Sequence, residues 1–161
     1  MSRARACACV IALALLGRAA PAFAAAPPIE PLTSFPAAEL TVAASGHSYT
    51  FHVRLATTDA RRGQGLMFVK KLARDEGMLF LWQAPTVQAF WMKNTPLPLD
   101  LLFIAADGRI IRIAADAVPQ STAVISSLGA VMGVLELNGG TCKRLGIVPG
   151  DRIVYPAFPS H

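Results

Sequence analysis

The chain has 161 residues, of which 53% are hydrophobic, 16% are charged and 7% are aromatic. This length fits one domain. The composition excludes a disordered body, because disordered chains are richer in charge and too poor in apolar residues to offset the entropy lost on folding.

The N-terminus has the pattern of a secretory signal peptide. Arg3 and Arg5 precede an uncharged apolar run, Ala6–Leu16, which is shorter than the roughly 20 residues that a membrane-spanning helix needs. Small residues then lead to Ala24, after which we predict cleavage. The mature protein is expected to be periplasmic or secreted, without stable membrane insertion. An uncleaved anchor is the alternative.

Cleavage changes both the charge and the cysteine count. It removes three of the 15 basic residues and none of the 10 acidic residues, which lowers the net charge from +5 to +2. The remaining basic residues are dispersed, so we expect no nucleic-acid partner. Of three cysteines the mature chain keeps Cys142, which excludes an intramolecular disulfide and favours the role of a small buried residue.

Residues 25–38 are rich in Pro and Ala and are predicted to form a linker or a loosely packed arm. Residues 39–161 are predicted to form a single domain. Its first strand is Tyr49–Leu55, where apolar and polar residues alternate. Thr58 or Asp59 can then cap a short helix that the glycines at 63 and 65 would end.

The rest of the domain is predicted to be mainly strands, because short apolar runs alternate with turn residues. These runs are Met78–Trp82, Val87–Met92, Leu99–Ala105, Ile110–Ala115, Val131–Leu137 and Arg152–Tyr155. The Asp107-Gly108 pair predicts a hairpin. Residues 116–129 are predicted to form a long loop, and Thr141–Leu145 a short helix capped by Thr141. About seven strands with one or two brief helices indicate a mostly β fold, either a β-sandwich or a partly open barrel.

The densest polar residues in an apolar setting lie between Phe90 and Asp100. Two prolines make this connection a rigid turn, which would hold its polar side chains in a fixed geometry. Lys93, Asn94 and Thr95 are therefore candidate ligand contacts. Trp91 is a candidate stacking surface if it is exposed.

Asp100 and Glu136 are acidic residues within apolar runs. A buried carboxylate is costly unless it is paired or accepts several hydrogen bonds. Arg62 and Lys93 are candidate counter-ions. If the two acids met at one site, they could act as general acid and base. Alternatively, each acid is structural and binds backbone groups.

Three methionines raise a different possibility, because thioethers are ligands that select Cu(I). Met67, Met78 and Met92 would have to converge at an accessible point. The alternative is that they pack in the core, as methionines in apolar runs usually do. We expect no metal and no other cofactor.

Several short motifs, in their order and spacing, resemble the family named domain of unknown function 192. They are Arg62 with Gly65-Leu66-Met67, Gly77-Met78-Leu79-Phe80, Trp91-Met92-Lys93-Asn94-Thr95 through Pro98-Leu99-Asp100, Leu135-Glu136-Leu137 and Gly150-Asp151. The resemblance covers about residues 40 to 155. It implies a small exported or membrane-associated prokaryotic domain, mostly β, with no agreed activity. The family commonly has an acidic residue before the arginine. Here Arg61 takes that place, which leaves Arg62 free to pair with Asp100 or Glu136.

The sequence thus favours a monomeric, exported domain that binds a small polar or carbohydrate-like ligand at one polar site. The predicted site residues are Arg62, Trp91, Lys93, Asn94, Thr95, Asp100 and Glu136. A hydrolase that uses Asp100 and Glu136 is one alternative. Cu(I) binding through the three methionines is another.

Overall fold

The computed structural model describes residues 28–159, so the predicted signal peptide, residues 1–24, lies outside the described part of the chain. The seven strands are β1 (Ala37–Ala44), β2 (His47–Ala56), β3 (Glu76–Phe90), β4 (Leu99–Ile104), β5 (Ile110–Ala117), β6 (Ile125–Asn138) and β7 (Arg152–Val154). The short helices are α1 (Asp59–Gln64) and α2 (Thr141–Leu145), and Leu32–Ser34 form a 3-10 turn. Between residues 28 and 159 no helix combines the length and the apolar character needed to cross a membrane.

The strands form one sheet in the order β5-β4-β6-β3-β2-β1-β7. The pairs are antiparallel except for β2 and β3, which are parallel. The sheet curls into a half-barrel, and hydrogen bonds join its two edge strands at one end. Ile110 N–H donates to the Asp151 carbonyl, and Ile153 N–H donates to the Gly108 carbonyl, each at 2.8 Å. The predicted mostly β, partly open barrel is confirmed.

Each face of the sheet carries a hydrophobic core. The first core is made by alternate residues of the strands together with α2 and the C-terminal segment; among its members are Leu40, Phe51, Leu79, Leu102, Leu137, Cys142 and Phe158. The second core lies on the opposite face, under α1 and the connections that follow α1 and β3; among its members are Phe35, Leu66, Met78, Phe80, Met92, Leu101 and Phe103. Central strands of the sheet are buried on both faces, which explains their continuous apolar runs.

The strand boundaries differ from the predictions in three places. β1 was not predicted, and the two predicted strands on either side of Pro85 are one strand, β3. Pro85 lies in a register shift between Leu81 and Thr86, where its missing N–H costs no ladder hydrogen bond. β6 starts at Ile125, inside the predicted loop. The predicted and observed numbers of strands still agree, because the missed strand β1 offsets the division of β3 into two predicted strands.

The segment predicted to be a loose arm packs on the domain from residue 28 onward. Gln64 accepts a hydrogen bond from Glu30 N–H at 2.8 Å and donates one to the Glu30 carbonyl at 2.7 Å. Phe35 is 1% exposed and belongs to the second core. The Arg61 guanidinium lies over its ring, 5.2 Å from the centroid. This segment therefore covers one side of α1.

Both short helices are confirmed, but one of the two caps differs. Thr58 caps α1, because its hydroxyl accepts a hydrogen bond from Arg61 N–H. In α2 the N-cap residue is Gly140, in the left-handed conformation, and Thr141 does not cap the helix. The acceptor for that helix start comes from the sheet instead.

Candidate functional site

Asp100, in β4, accepts hydrogen bonds from backbone groups at the start of α2. Its carboxylate accepts hydrogen bonds from the N–H groups of Asp116, Gly140 and Cys142, at 2.9, 3.1 and 2.7 Å. The side chain is 0% exposed. Asp100 therefore ties the start of α2 and the end of β5 to β4, which is a structural role.

Cys142 lies beside it in the first core, as predicted for a small buried residue. Burial and the neighbouring Asp100 charge raise the pKa of its thiol far above the usual range. The sulfur is therefore protonated, and a protonated, buried thiol is a poor nucleophile.

Glu136 lies on the opposite face of the sheet from Asp100. It pairs with Leu101 of β4 and Met78 of β3, whereas Asp100 pairs with Leu137. Residues paired across strands share a face and successive residues alternate, so the two acids point to opposite sides. The hydrolase alternative, which needs both carboxyls in one site, is therefore wrong.

Glu136 is 5% exposed, and its Oε2 atom is buried without a hydrogen-bond partner. Among residues 28–159, no basic side chain lies within ion-pair distance of it. Burial raises the pKa of Glu136 from 4.5 to about 8. The side chain is therefore a neutral carboxylic acid at pH 7, with a proton to donate.

The candidate counter-ions are used elsewhere. Arg62 donates to the carbonyls of Thr57 and Leu81, at 2.7 and 2.8 Å, and pairs with Asp59. Its guanidinium lies 5.5 Å from the centroid of the Trp82 ring. The expectation that Arg62 pairs with Asp100 or Glu136 was wrong, because Asp59 in the first turn of α1 is nearer in the chain.

Arg61 also has a partner outside the site. It pairs with Glu30 at 3.3 Å. Lys93 is exposed, with its ammonium 5.1 Å from the centroid of the Trp91 ring. It is therefore not a counter-ion to either buried acid.

Glu136 lines a cavity of about 360 Å³ between α1, the outer half of β3 and the connection after β3. Four of the seven predicted site residues line it: Arg62, Trp91, Thr95 and Glu136. Lys93 and Asn94 line a neighbouring cavity that also touches Trp91. We call the first of these the Glu136 cavity.

The rigid turn after β3 forms one wall, as the two prolines predict. Asn94 has φ +56°, and its carbonyl accepts a hydrogen bond from Phe68 N–H at 2.8 Å. Thr95 is 5% exposed, and its hydroxyl donates to the Lys93 carbonyl at 3.3 Å. The backbone of this turn is therefore fixed to the loop that follows α1.

Several lining residues were not predicted as ligand contacts. They are Asp59, Gln64, Gln88, Trp82 and Phe90. Gln88 and Trp82 sit in apolar runs of β3, where a lone polar or aromatic residue gives no indication of the face it occupies. Nothing in the sequence around Gln64 indicates a ligand contact, since it lies in the last turn of a short helix.

The methionines do not form an accessible three-sulfur site. Met78 and Met92 are 0% and 1% exposed and belong to the second core. Met67 alone lines the Glu136 cavity, and its sulfur is 4.0 Å from the Asn94 amide nitrogen. The Cu(I) alternative is therefore wrong. Between residues 28 and 159 there is also no group of three or more His, Cys, Asp or Glu residues placed to hold a metal ion.

Comparisons with known proteins agree with the resemblance seen in the sequence. A solved structure from Sinorhizobium meliloti 1021, provisionally named a transcription regulator, is 46% identical over 74% of this chain and 94% of its own, with a TM-score of 0.73. A protein of unknown function from Novosphingobium aromaticivorans is 40% identical over 86% of this chain and 99% of its own, with a TM-score of 0.75. No curated protein matches. The model of the DUF192 family, described as an uncharacterized ACR, matches residues 40–155, and this chain belongs to that family.

Proposed function

We propose that the Glu136 cavity binds a small, neutral molecule rich in hydroxyl groups, such as a carbohydrate. The observation that carries this proposal is the buried Glu136 Oε2 atom, which lacks a hydrogen-bond partner. A buried polar atom without a partner is unfavourable, and such atoms in folded proteins are uncommon. Glu136 is 5% exposed and lines the cavity, so a ligand hydroxyl there can contact its carboxyl group.

The charges of the cavity favour a neutral ligand. Burial raises the pKa of Glu136 to about 8, so the carboxyl is protonated at pH 7 and can both donate and accept a hydrogen bond. Arg62 and Asp59 also line the cavity, but they neutralise each other as an ion pair. Neither a cationic nor an anionic ligand would therefore find an unpaired opposite charge.

The shape and the aromatic lining support a carbohydrate-like ligand. Trp82, Phe90 and Trp91 line the cavity, and Trp91 is 48% exposed. Rings of this kind give flat apolar surfaces on which the C–H faces of a sugar can pack. The volume of about 360 Å³ lies at the lower end of the range for small-molecule sites.

The proposal is tested by thermal unfolding of the full chain with methyl β-glucoside, methyl β-galactoside, methyl α-mannoside and myo-inositol. We expect at least one of these compounds to raise the melting temperature in a saturable manner. Glu136→Leu should abolish this response while the variant still folds, because leucine fits an apolar face without the polar group. Glu76→Gln, at an exposed acid, is the matched control and should keep the response. No response to any compound, or an unchanged response in Glu136→Leu, contradicts the proposal.

We propose further that the domain works as an exported monomer. Support comes from the basic start, the short apolar run and the small residues before Ala25. Mass spectrometry of the protein recovered from the periplasm or the medium should give a chain that begins at Ala25. A product that keeps residues 1–24 and fractionates with membranes contradicts cleavage. Sedimentation at micromolar concentration should give the mass of one chain.

A further inference from the structure

A second cavity, of about 420 Å³, adjoins the Glu136 cavity. The two share five lining residues on α1, in the loop after it and in the connection after β3: Asp59, Gly63, Gln64, Met67 and Trp91. The second cavity also reaches Pro28 and Ile29, at the start of the described chain. We call it the Phe68 cavity, because Phe68 forms part of its wall.

The Phe68 cavity gathers three exposed, large apolar side chains. Ile29, Phe68 and Trp91 are 53%, 54% and 48% exposed, and all three line it. Exposed apolar residues that stand singly need no explanation, but several around one concavity indicate a binding surface. The Glu136 cavity shares Trp91 with it, but its wall also holds the buried acid and the Arg62–Asp59 ion pair.

The backbone holds Phe68 in an unfavourable conformation. Its φ is +64°, which is a rare value for a bulky residue. The Phe68 N–H donates to the carbonyl of Asn94, which itself has φ +56°. Two non-glycine residues in the left-handed region therefore meet at this wall, and together they keep an aromatic ring at the surface. Strain of this kind clusters at ligand sites.

We propose that the two cavities hold one amphipathic ligand, with a neutral hydroxylated head at Glu136 and an alkyl tail against Phe68, Ile29 and Trp91. This inference rests on the proposed function, because the head is the ligand of the Glu136 cavity. A single molecule is favoured because Trp91 and Met67 line both cavities, so the polar and apolar halves adjoin. The substrate class is thus that of an alkyl glycoside or a neutral glycolipid.

The experiment compares methyl, butyl and hexyl β-glucoside, all below their micellar concentrations, by titration calorimetry on the full chain. Each methylene buried is worth about a three- to fourfold gain in affinity. The hexyl compound should therefore bind at least tenfold more tightly than the methyl compound. Phe68→Gly should remove this chain-length dependence and keep the affinity for methyl β-glucoside. It should also fold at least as stably as the wild type, because glycine accepts a positive φ without strain.

Matched variants separate the two proposals. Val124→Ser changes another exposed apolar residue, 72% exposed and outside both cavities, and should leave all three affinities unchanged. Glu136→Leu should weaken all three glucosides. Equal affinities for the three glucosides, with binding still dependent on Glu136, would overturn the proposed contact between an alkyl tail and the Phe68 cavity but would not contradict the proposed function. Binding of none of the three glucosides would overturn the amphipathic ligand, and the proposed function would fall with it only if methyl β-galactoside, methyl α-mannoside and myo-inositol also gave no response.

Two further outcomes would also overturn the amphipathic ligand. If hexyl β-glucoside binds Glu136→Leu as tightly as the wild type, the Phe68 cavity binds the alkyl group without any contribution from the sugar. If the chain sediments with phosphatidylcholine–phosphatidylglycerol vesicles in a manner that depends on Phe68, and shows no chain-length dependence with the soluble glucosides, the surface binds a membrane instead.

Discussion

Replacing Glu136 with glutamine should make the protein more stable at neutral pH. The pKa of Glu136 is about 8 in the folded protein, because burial disfavours the ionised form, and 4.5 is its ordinary value. Between these two pH values the folded protein holds a proton that the unfolded chain has released. The free energy of unfolding therefore falls as the pH rises through this window and becomes level above pH 8.

The expected size of the effect follows from the pKa shift. Each pH unit in the window lowers the free energy of unfolding by about 1.4 kcal/mol, which amounts to about 3 kcal/mol at pH 7 and about 5 kcal/mol by pH 8. Below pH 4.5 the carboxyl is protonated in both states, so this term is absent. Glutamine has nearly the same shape and does not ionise. The Glu136→Gln variant should therefore match the wild type at low pH and exceed it at pH 7.

The assay is urea unfolding at half-unit steps from pH 4 to pH 9. The difference in unfolding free energy between Glu136→Gln and the wild type cancels the titration of the other groups, which both proteins share. Glu76→Gln makes the same chemical change at an exposed acid and should follow the wild-type profile. Parallel profiles for Glu136→Gln and the wild type between pH 5 and pH 8 would show that Glu136 is not a buried neutral acid.

Three substitutions and one thiol reagent test the structural assignments. Asp100→Ala leaves three N–H groups without an acceptor and should lower the free energy of unfolding by about 4 kcal/mol. The folded variant should still bind sugar. A loss of less than about 1 kcal/mol in urea unfolding would contradict the anchoring role. Gly77→Ala places a Cβ atom 2.5 Å from the Glu136 carbonyl oxygen and should cost about 3 kcal/mol or more, whereas Gly63→Ala meets no atom within 4 Å and should be neutral or slightly stabilising in the same assay. In the mature chain, where Cys142 is the one cysteine, its thiol should react with dithionitrobenzoate at the rate of unfolding, and rapid reaction of the native protein would refute its burial.

Local chemistry explains which elements could be predicted from the sequence. The hairpin between β4 and β5 depends on Asp107 and Gly108, and Gly108 has φ +84° as that turn requires. The Thr58 cap and the ends of both helices are equally local. β1 was missed because half of its eight residues are alanine, whose small side chain gives a weak alternating pattern. The continuity of β3 was missed because Pro85 normally interrupts a strand.

The candidate site shows a different limit. A lone acid in an apolar strand is visible in the sequence, and both Asp100 and Glu136 were found in this way. Their roles depend on the face that each occupies, which is decided by the register between β4 and β6. A shift of one residue in that register would place both acids on the same face of the sheet. The number of residues between Asp100 and Glu136 does not reveal the register of the two strands. The face that Trp82 occupies also depends on strand register, so its place in the cavity could not be predicted.

A carbon-13 NMR titration of the Glu136 side-chain carboxyl in the folded protein shows whether the cavity holds a buried, neutral acid. The predicted result is a midpoint near pH 8 that moves higher in the presence of a compound that raises the melting temperature, because a neutral ligand bound to the protonated acid favours that form. A midpoint close to 4.5, unaffected by that compound, would mean that this carboxyl is solvated and ionised, and the account of the cavity as a neutral binding site would be wrong.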